Sequence, residues 1–288
     1  MISEEKLEKL KRNTILLSYD ETNSEKLSKG TSKIGGKPDL PKDFKWYYYE
    51  GEDCRNRIKN RPLSFLMQIN CEEVHKYDKE TLLPEKGILY FFYELLSMTW
   101  GFSPMDKGSA KVFYYDGNID DLVSIDFPED LDKKCILPEL KIKLENMNDY
   151  PEFYDLDFEN EDRDKDYFEE TERKIEEYHN LIEGLGYKYD TTKLLGYPEF
   201  IQNNFFEECE GVSRKNIYYG SVPIEYRNLK KVIKENAKDW ILLMQMSELY
   251  SGNYALVFGD AGKIYFNIRK EDLKNKKFDD AWLILQCY

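Results

Sequence analysis

Three short segments recur in the same order in the second half of the chain, and this recurrence restricts the fold more than any other feature. The first pair is SKIGGKP at residues 32–38 and TKLLGYP at residues 192–198. The others are FLMQI at 65–69 with LLMQM at 242–246, and GILYF at 87–91 with GKIYF at 262–266. Because Lys, Gly, Pro, Met-Gln and Tyr positions are shared in one order, the pattern predicts an internal duplication.

The spacing between the copies changes once along the chain. Lys33 and Lys193 are 160 residues apart, whereas Met67 and Met244 are 177 apart and the third pair is 175 apart. A helix inserted in the second copy would explain the difference, with Ser221 and Pro223 at its start. Its predicted apolar face consists of Leu229, Val232, Ile233 and Ala237.

Each copy has the pattern of strands joined by tight turns. Gly36 and Gly196 stand two residues before Pro38 and Pro198, an arrangement typical of turns because glycine tolerates positive φ. The Met-Gln runs are short and apolar, as buried strands are, and an aromatic content of 15% favours β-structure. We therefore predict an α+β fold that is mainly antiparallel and roll-like, with two similar halves and a few peripheral helices.

Charge and periodicity suggest where the halves meet. We predict an N-terminal β-rich half at residues 1–148 that begins with a helix at residues 1–12, and a C-terminal half at 187–288. The connection at 149–186 contains 14 acidic and 4 basic residues between positions 149 and 177, followed by a helical pattern over residues 167–183. The halves are expected to form one compact unit.

The net charge of −14 disfavours nucleic acid and anionic membranes as partners, because both attract positively charged proteins. The acidic connection has two interpretations: a solvated face that aids solubility, or a docking surface for a basic protein. The candidate docking residues are Asp155, Asp157, Glu159, Glu161 and Asp162.

Cysteine usage and the N-terminus favour a cytoplasmic protein. The five cysteines are odd in number and contain no C-x-x-C pair, so neither a disulfide framework nor a thiolate zinc site is expected. The first residues lack the apolar run of a secretory signal, and no apolar run is long enough to span a bilayer.

Familiar catalytic and metal-binding patterns are missing from the sequence. Only His75 and His179 could act as histidine bases, and both lie in polar surroundings. The glycine-rich residues 30–37 lack Walker spacing, and residues 155–166 lack the glycine and glutamate of a calcium-binding EF-hand loop. We therefore assign no catalytic residue, metal or cofactor, and the sequence leaves open whether the protein is an enzyme.

Two glutamines occupy equivalent places in the two copies. Gln68 and Gln245 are predicted to be buried, where they would either hold the glycine turns or line a cleft between the halves. In the second case the candidate ligand-binding residues are Gln68, Trp100, Gln245 and Asp260.

The motifs IGGKPDLP at 34–41, PLSFLMQI at 62–69 and LPEKGILYFF at 83–92, together with their second-half counterparts, resemble the bacterial YwqG-like family. The resemblance spans most of the chain and implies a β-rich fold with a pseudo-duplicated core. It implies no established activity or catalytic residue, although relatives lie near secreted toxin systems, which suggests an immunity or accessory role. The leading hypothesis is therefore a protein-binding protein, and the alternative is a small-molecule binding protein or enzyme with a cleft between its halves.

Overall fold

The computed structural model describes residues 4–20, 27–52, 57–156, 167–218 and 227–288. Its helices are α1 (Glu4–Leu10), α2 (Cys71–His75), α3 (Tyr167–Gly184), α4 (Phe206–Cys209), α5 (Arg227–Ala237) and α6 (Lys270–Lys274). Its strands are β1 (Arg12–Tyr19), β2 (Lys33–Ile34), β3 (Asp39–Pro41), β4 (Tyr48–Glu52), β5 (Ile58–Pro62), β6 (Ser64–Asn70), β7 (Ile88–Tyr93), β8 (Ala110–Tyr115), β9 (Leu122–Ser124), β10 (Leu140–Asp149), β11 (Lys193–Leu194), β12 (Trp240–Met246), β13 (Leu249–Ser251), β14 (Tyr254–Leu256), β15 (Lys263–Arg269) and β16 (Trp282–Gln286).

A ten-stranded sheet organises the chain, with the order β16-β15-β12-β11-β1-β10-β2-β6-β7-β8. Every pairing between the described strands is antiparallel, so the predicted α+β fold with mainly antiparallel strands is confirmed. Short two-stranded pairs, β3-β9, β4-β5 and β13-β14, accompany the sheet.

The strand order is symmetric about the central pair β1 and β10. On one side the sheet continues through β2, β6, β7 and β8, and on the other through β11, β12, β15 and β16. β1 precedes β2 in the chain but pairs with β11, whereas β10 precedes β11 but pairs with β2. The two long strands are therefore exchanged: each one borders the set of strands that it does not directly precede in the chain.

Equivalent strands also share their register. Lys33 pairs with Gln68 and Lys193 pairs with Gln245, and the ladder is irregular at Phe65/Met67 on one side and at Leu242/Met244 on the other. The predicted duplication remains a prediction about the origin of the chain, and these matching registers support it.

The two sides of the sheet share one hydrophobic core. Phe91 on β7 and Phe266 on β15 are fully buried, and their rings meet edge to face with centroids 5.2 Å apart. At the outer edge of β16, the carbonyl oxygen of Trp100 accepts a hydrogen bond from the Leu285 N–H at 3.0 Å. Residues from the first half thus cover the edge strand of the second.

The predicted helices are present, with one error in the assignment of their faces. Tyr178 and Ile182 of α3 pack with Leu7 of α1 against the sheet. On α5, Ile233 and Ala237 are buried as expected, but Val232 is 46% exposed because it precedes Ile233 by one residue and lies about 100° around the helix. Ser221 and Pro223 lie outside the described residues.

Candidate ligand-binding groove

The two equivalent glutamines are buried, and both hydrogen-bond to the protein backbone. The Gln68 side-chain oxygen accepts a hydrogen bond from the Asp39 N–H (2.9 Å), and its amide donates to the Thr31 carbonyl (2.9 Å). Gln245 makes the equivalent bonds, from the Glu199 N–H (2.9 Å) and to the Thr191 carbonyl (2.8 Å). Each glutamine therefore connects its strand to the loop that contains the glycine turn, which is what the structural interpretation expects.

The other two predicted ligand-binding residues lie on the surface. Trp100 is 46% exposed, and the exposed Asp260 uses its carbonyl oxygen to accept a hydrogen bond from the Tyr288 N–H (3.0 Å). Neither they nor the two glutamines line the cavities described below. A ligand-binding role for these four residues remains a prediction.

A buried lysine network adjoins Gln245. Lys193 is completely buried, and its ammonium lies 2.9 Å from Asp149 Oδ2 and 3.5 Å from Glu199 Oε1. Lys263 approaches Glu199 Oε2 at 3.3 Å and donates to Asp190 Oδ1 at 2.7 Å. Burial acts to raise the pKa of Glu199, but Lys193 and Lys263 outweigh it and hold the pKa below its usual value.

The equivalent lysine in the first half has a different, more exposed partner. Lys33 Nζ donates to Glu139 Oε2 and to the Lys37 carbonyl oxygen, both at 2.7 Å. The Glu139 side chain is 43% exposed, whereas the Asp149 side chain beside Lys193 is fully buried. The side chain of Asp39, which is 11% exposed, lies farther from Lys33 Nζ, at 4.0 Å. The two lysines are thus matched in position but differ in how completely their nearest anionic partner is desolvated.

Glu152 lies near the same network without joining it. It precedes the helical turn Phe153–Asp155, but its side chain accepts no hydrogen bond from that turn. Burial is the main cause that raises the pKa of Glu152 to about 7; Lys193 opposes the rise, while Glu199, Asp155 and Asp149 add to it. This carboxyl group therefore titrates near neutral pH.

Of the five predicted docking residues, only Asp155 lies within the described residues. It is exposed at the end of a short helical turn, and one of its carboxylate oxygens accepts a hydrogen bond from Asn204 Nδ2 at 3.2 Å. Asp157, Glu159, Glu161 and Asp162 lie outside the described part of the chain.

The histidines and cysteines considered in the sequence analysis lie in different surroundings. His75 is exposed, and the ring of His179 packs on Tyr189 with centroids 5.6 Å apart. Cys71, Cys135, Cys209 and Cys287 are free and buried, while Cys54 lies outside the described residues. Across the described ranges, no group of three or more His, Cys, Asp or Glu residues could hold a metal ion. No helix there is long and apolar enough to cross a membrane.

A large groove lies between the loop at residues 81–86 and helix α6. Its volume of about 690 Å³ falls within the range of about 300–1,000 Å³ that small-molecule sites occupy. Leu82, Leu83, Pro84, Ile241 and Leu273 provide the apolar surface. The loop belongs to the first half and α6 to the second, so the groove lies between the halves.

The rim of the groove is basic in a protein of net charge −14. Lys86, Lys270, Lys274 and Lys276 line it together with a single acidic residue, Glu85. All four lysines are exposed, and none forms an ion pair with a described residue. The groove therefore combines an apolar floor with positive charge that the described protein does not neutralise.

Backbone hydrogen bonds fix both walls of the groove. On the loop, the Leu83 N–H donates to Asp78 Oδ2 at 2.7 Å, and Tyr114 Oη donates to the Lys86 carbonyl oxygen at 2.8 Å. Two residues beyond the end of α6, Lys276 has the left-handed conformation (φ 57°), and its N–H donates to the Leu273 carbonyl oxygen at 3.0 Å. A site whose walls are already held loses less entropy when a ligand binds.

The sequence analysis predicts no groove here, because nothing in the sequence indicates that residues 81–86 and residues 270–276 face each other. The overlooked signal is the concentration of lysine at positions 270, 274, 276 and 277 in an otherwise acidic chain. Such a run stands out only against the charge of the whole protein.

A model of the DUF1963 family, described as a domain of unknown function, matches residues 32–287. The match includes both copies of the recurring segments and both walls of the groove. A search of curated proteins finds no match.

Proposed function

The chain belongs to the DUF1963 family, a family of unknown function, and we propose that it is a binding protein for a small organic anion with an apolar body, held in the groove between loop 81–86 and α6. The observation that carries the proposal is the combination of an apolar floor with four lysines that lack described ion-pair partners. An apolar floor favours burial of a hydrocarbon or aromatic group, and the rim favours negative charge. Within the family, we further propose that the chain is YwqG-like, on the motifs quoted above.

Binding fits the groove better than catalysis. Its lining residues offer lysines, aliphatic side chains, Thr81, Pro84 and Glu85. They include neither a histidine nor a pair of carboxylates that could divide the roles of acid and base. The small-molecule alternative from the sequence is thus retained, with its site moved away from Gln68, Trp100, Gln245 and Asp260.

Reversing two rim charges is expected to weaken anion binding. The K274E/K276E variant should bind 8-anilino-1-naphthalenesulfonate about tenfold or more weakly than the unmodified protein, because two attractive charges become repulsive. N-phenyl-1-naphthylamine, which has the same aromatic body without the sulfonate, should lose much less affinity. Both affinities are measured by fluorescence titration at low salt, where surface charges are least screened.

The matched control places the same two changes elsewhere. Lys231 and Lys234 are exposed on α5 and do not line the groove, so K231E/K234E alters the net charge equally. It should leave the affinity for the sulfonate probe within about twofold of the unmodified protein. Equal losses in the two double variants would show that only net charge matters, and the proposed site would be wrong.

A second proposed function is the masking of a basic protein, such as a toxin, by the acidic stretch. The net charge of −14 and the exposed carboxylate of Asp155 support it, because complementary charge accelerates association. Changing Asp155, Asp157, Glu159, Glu161 and Asp162 to the corresponding amides should slow association with a toxin encoded beside this gene, measured by surface plasmon resonance. This function would be contradicted if the association rate with such a toxin changed neither with the substitutions nor with the salt concentration.

A further inference from the structure

A second pocket adjoins the groove. This pocket has a volume of about 230 Å³ and shares Leu82, Ile241 and Lys270 with the groove. Its remaining lining includes Arg12, Glu80 and Gly196. Because one apolar wall and one lysine belong to both cavities, a single elongated molecule could occupy them together.

Arg12 is held in place at the end of this pocket. Its backbone lies at the start of β1, paired with Asp149 on β10. Its guanidinium carbon stacks 4.2 Å from the centroid of the Tyr197 ring, and the Tyr197 hydroxyl donates to the Leu10 carbonyl oxygen at 2.7 Å. Such stacking covers one face of the guanidinium and leaves its N–H edges available for hydrogen bonds.

The charge balance of the pocket limits the ligands it can accept. Arg12 forms no ion pair with a described residue, and Lys270 donates only a long hydrogen bond, 3.4 Å, to the Lys238 carbonyl oxygen. Glu80 contributes one negative charge and accepts a hydrogen bond from the Asn13 N–H at 3.0 Å. Two cations and one anion leave a single positive charge, which complements a monoanion better than a dianion.

We propose that Arg12 and Lys270 bind the carboxylate of a linear aliphatic acid whose hydrocarbon chain runs past Leu82 and Ile241 into the groove. This inference rests on the proposed function and adds the class of ligand. The planar guanidinium matches a carboxylate with two parallel N–H···O bonds, whereas the aliphatic wall matches the hydrocarbon chain. The orientation of the ligand follows, with its carboxylate head at Arg12 and the end of its hydrocarbon tail at Leu273.

The test compares three ligands with the same ten-carbon chain by isothermal titration calorimetry. Decanoate carries the proposed head, decyl phosphate carries a head of greater charge, and decanol carries none. The unmodified protein should bind decanoate more tightly than decyl phosphate, and decanol most weakly. R12Q should weaken decanoate binding about 10- to 100-fold and leave decanol binding nearly unchanged.

Two further variants separate binding from folding. R12K keeps the positive charge but loses the two parallel N–H donors of the guanidinium. Its affinity for decanoate should therefore lie between those of R12Q and the unmodified protein. K270Q removes the second cation without touching the Tyr197 stack and should also weaken decanoate. Thermal unfolding of each variant identifies losses of affinity that arise from misfolding. If R12Q does not fold, K270Q still tests whether the predicted cations bind the carboxylate.

Each alternative outcome contradicts a different statement. If K274E/K276E weakens decanoate binding but R12Q and K270Q do not, the groove is the site and the assignment of the head is wrong. If decyl phosphate binds more tightly than decanoate and depends on Arg12, the pocket binds a phosphate head. If the unmodified protein binds neither decanoate nor the sulfonate probe, the proposed function fails and this inference fails with it.

Discussion

Replacing Lys193 with methionine is expected to lower the free energy of unfolding by about 3–5 kcal/mol, the cost of breaking a buried ion pair from one side. The variant would leave the fully buried Asp149 without its ammonium partner at 2.9 Å. Lys263 would still neutralise part of the charge of Glu199, at 3.3 Å. The measurement is urea-induced unfolding at pH 7, followed by circular dichroism.

The equivalent lysine provides a matched control. Lys33 is similarly buried at the corresponding register position, but its partner Glu139 is 43% exposed and can be solvated when the lysine is removed. K33M should therefore cost less, about 1–2 kcal/mol, because the nearest anion, Glu139, can be solvated. The buried Asp39 carboxylate lies farther from Lys33 Nζ, at 4.0 Å, and keeps its hydrogen bonds from the Gly30 N–H and from Gln68 Nε2. Equal losses in the two variants would show that burial of the partner does not determine the energetic difference.

Replacing Glu152 with glutamine should stabilise the protein above neutral pH. In the folded chain the pKa of Glu152 is raised to about 7 from the usual value of 4.5. A group whose pKa is raised by folding contributes stability that is fully present below pH 4.5 and is lost as pH rises through 7. The loss amounts to at most about 3 kcal/mol, at 1.36 kcal/mol per pKa unit.

The comparison across pH isolates this one carboxyl group. E152Q and the unmodified protein should have the same unfolding free energy near pH 4, and E152Q should be more stable by up to about 3 kcal/mol at pH 8. Other titrating groups contribute equally to both curves. A difference that stays constant from pH 4 to pH 8 would mean that Glu152 titrates normally.

Local sequence patterns were sufficient to predict many of the elements. The Met-Gln strands, the turns at Gly36 and Gly196 and helix α3 all follow from residues close together in the chain. The buried Gln68 and Gln245 could be paired because the same residues precede and follow both of them.

The features that escaped prediction depend on contacts between distant residues. β1 and β10 lack a repeated motif and were not identified, although their pairing with each other and with β11 and β2 joins the two sides of the sheet. The burial of Asp149 beside Lys193 depends on that pairing. The groove likewise exists only where residues 81–86 and α6 meet, so its lysines carry no local pattern that distinguishes them from other surface charges.

Photo-crosslinking tests the proposed site most directly. A decanoate analogue with a diazirine in its chain would be irradiated with the unmodified protein, and the modified residues identified by mass spectrometry. The proposed function predicts labels on residues 81–86, Ile241 and residues 270–276 that disappear when excess decanoate competes. Labels that resist competition, or that concentrate on surfaces away from these residues, would contradict it.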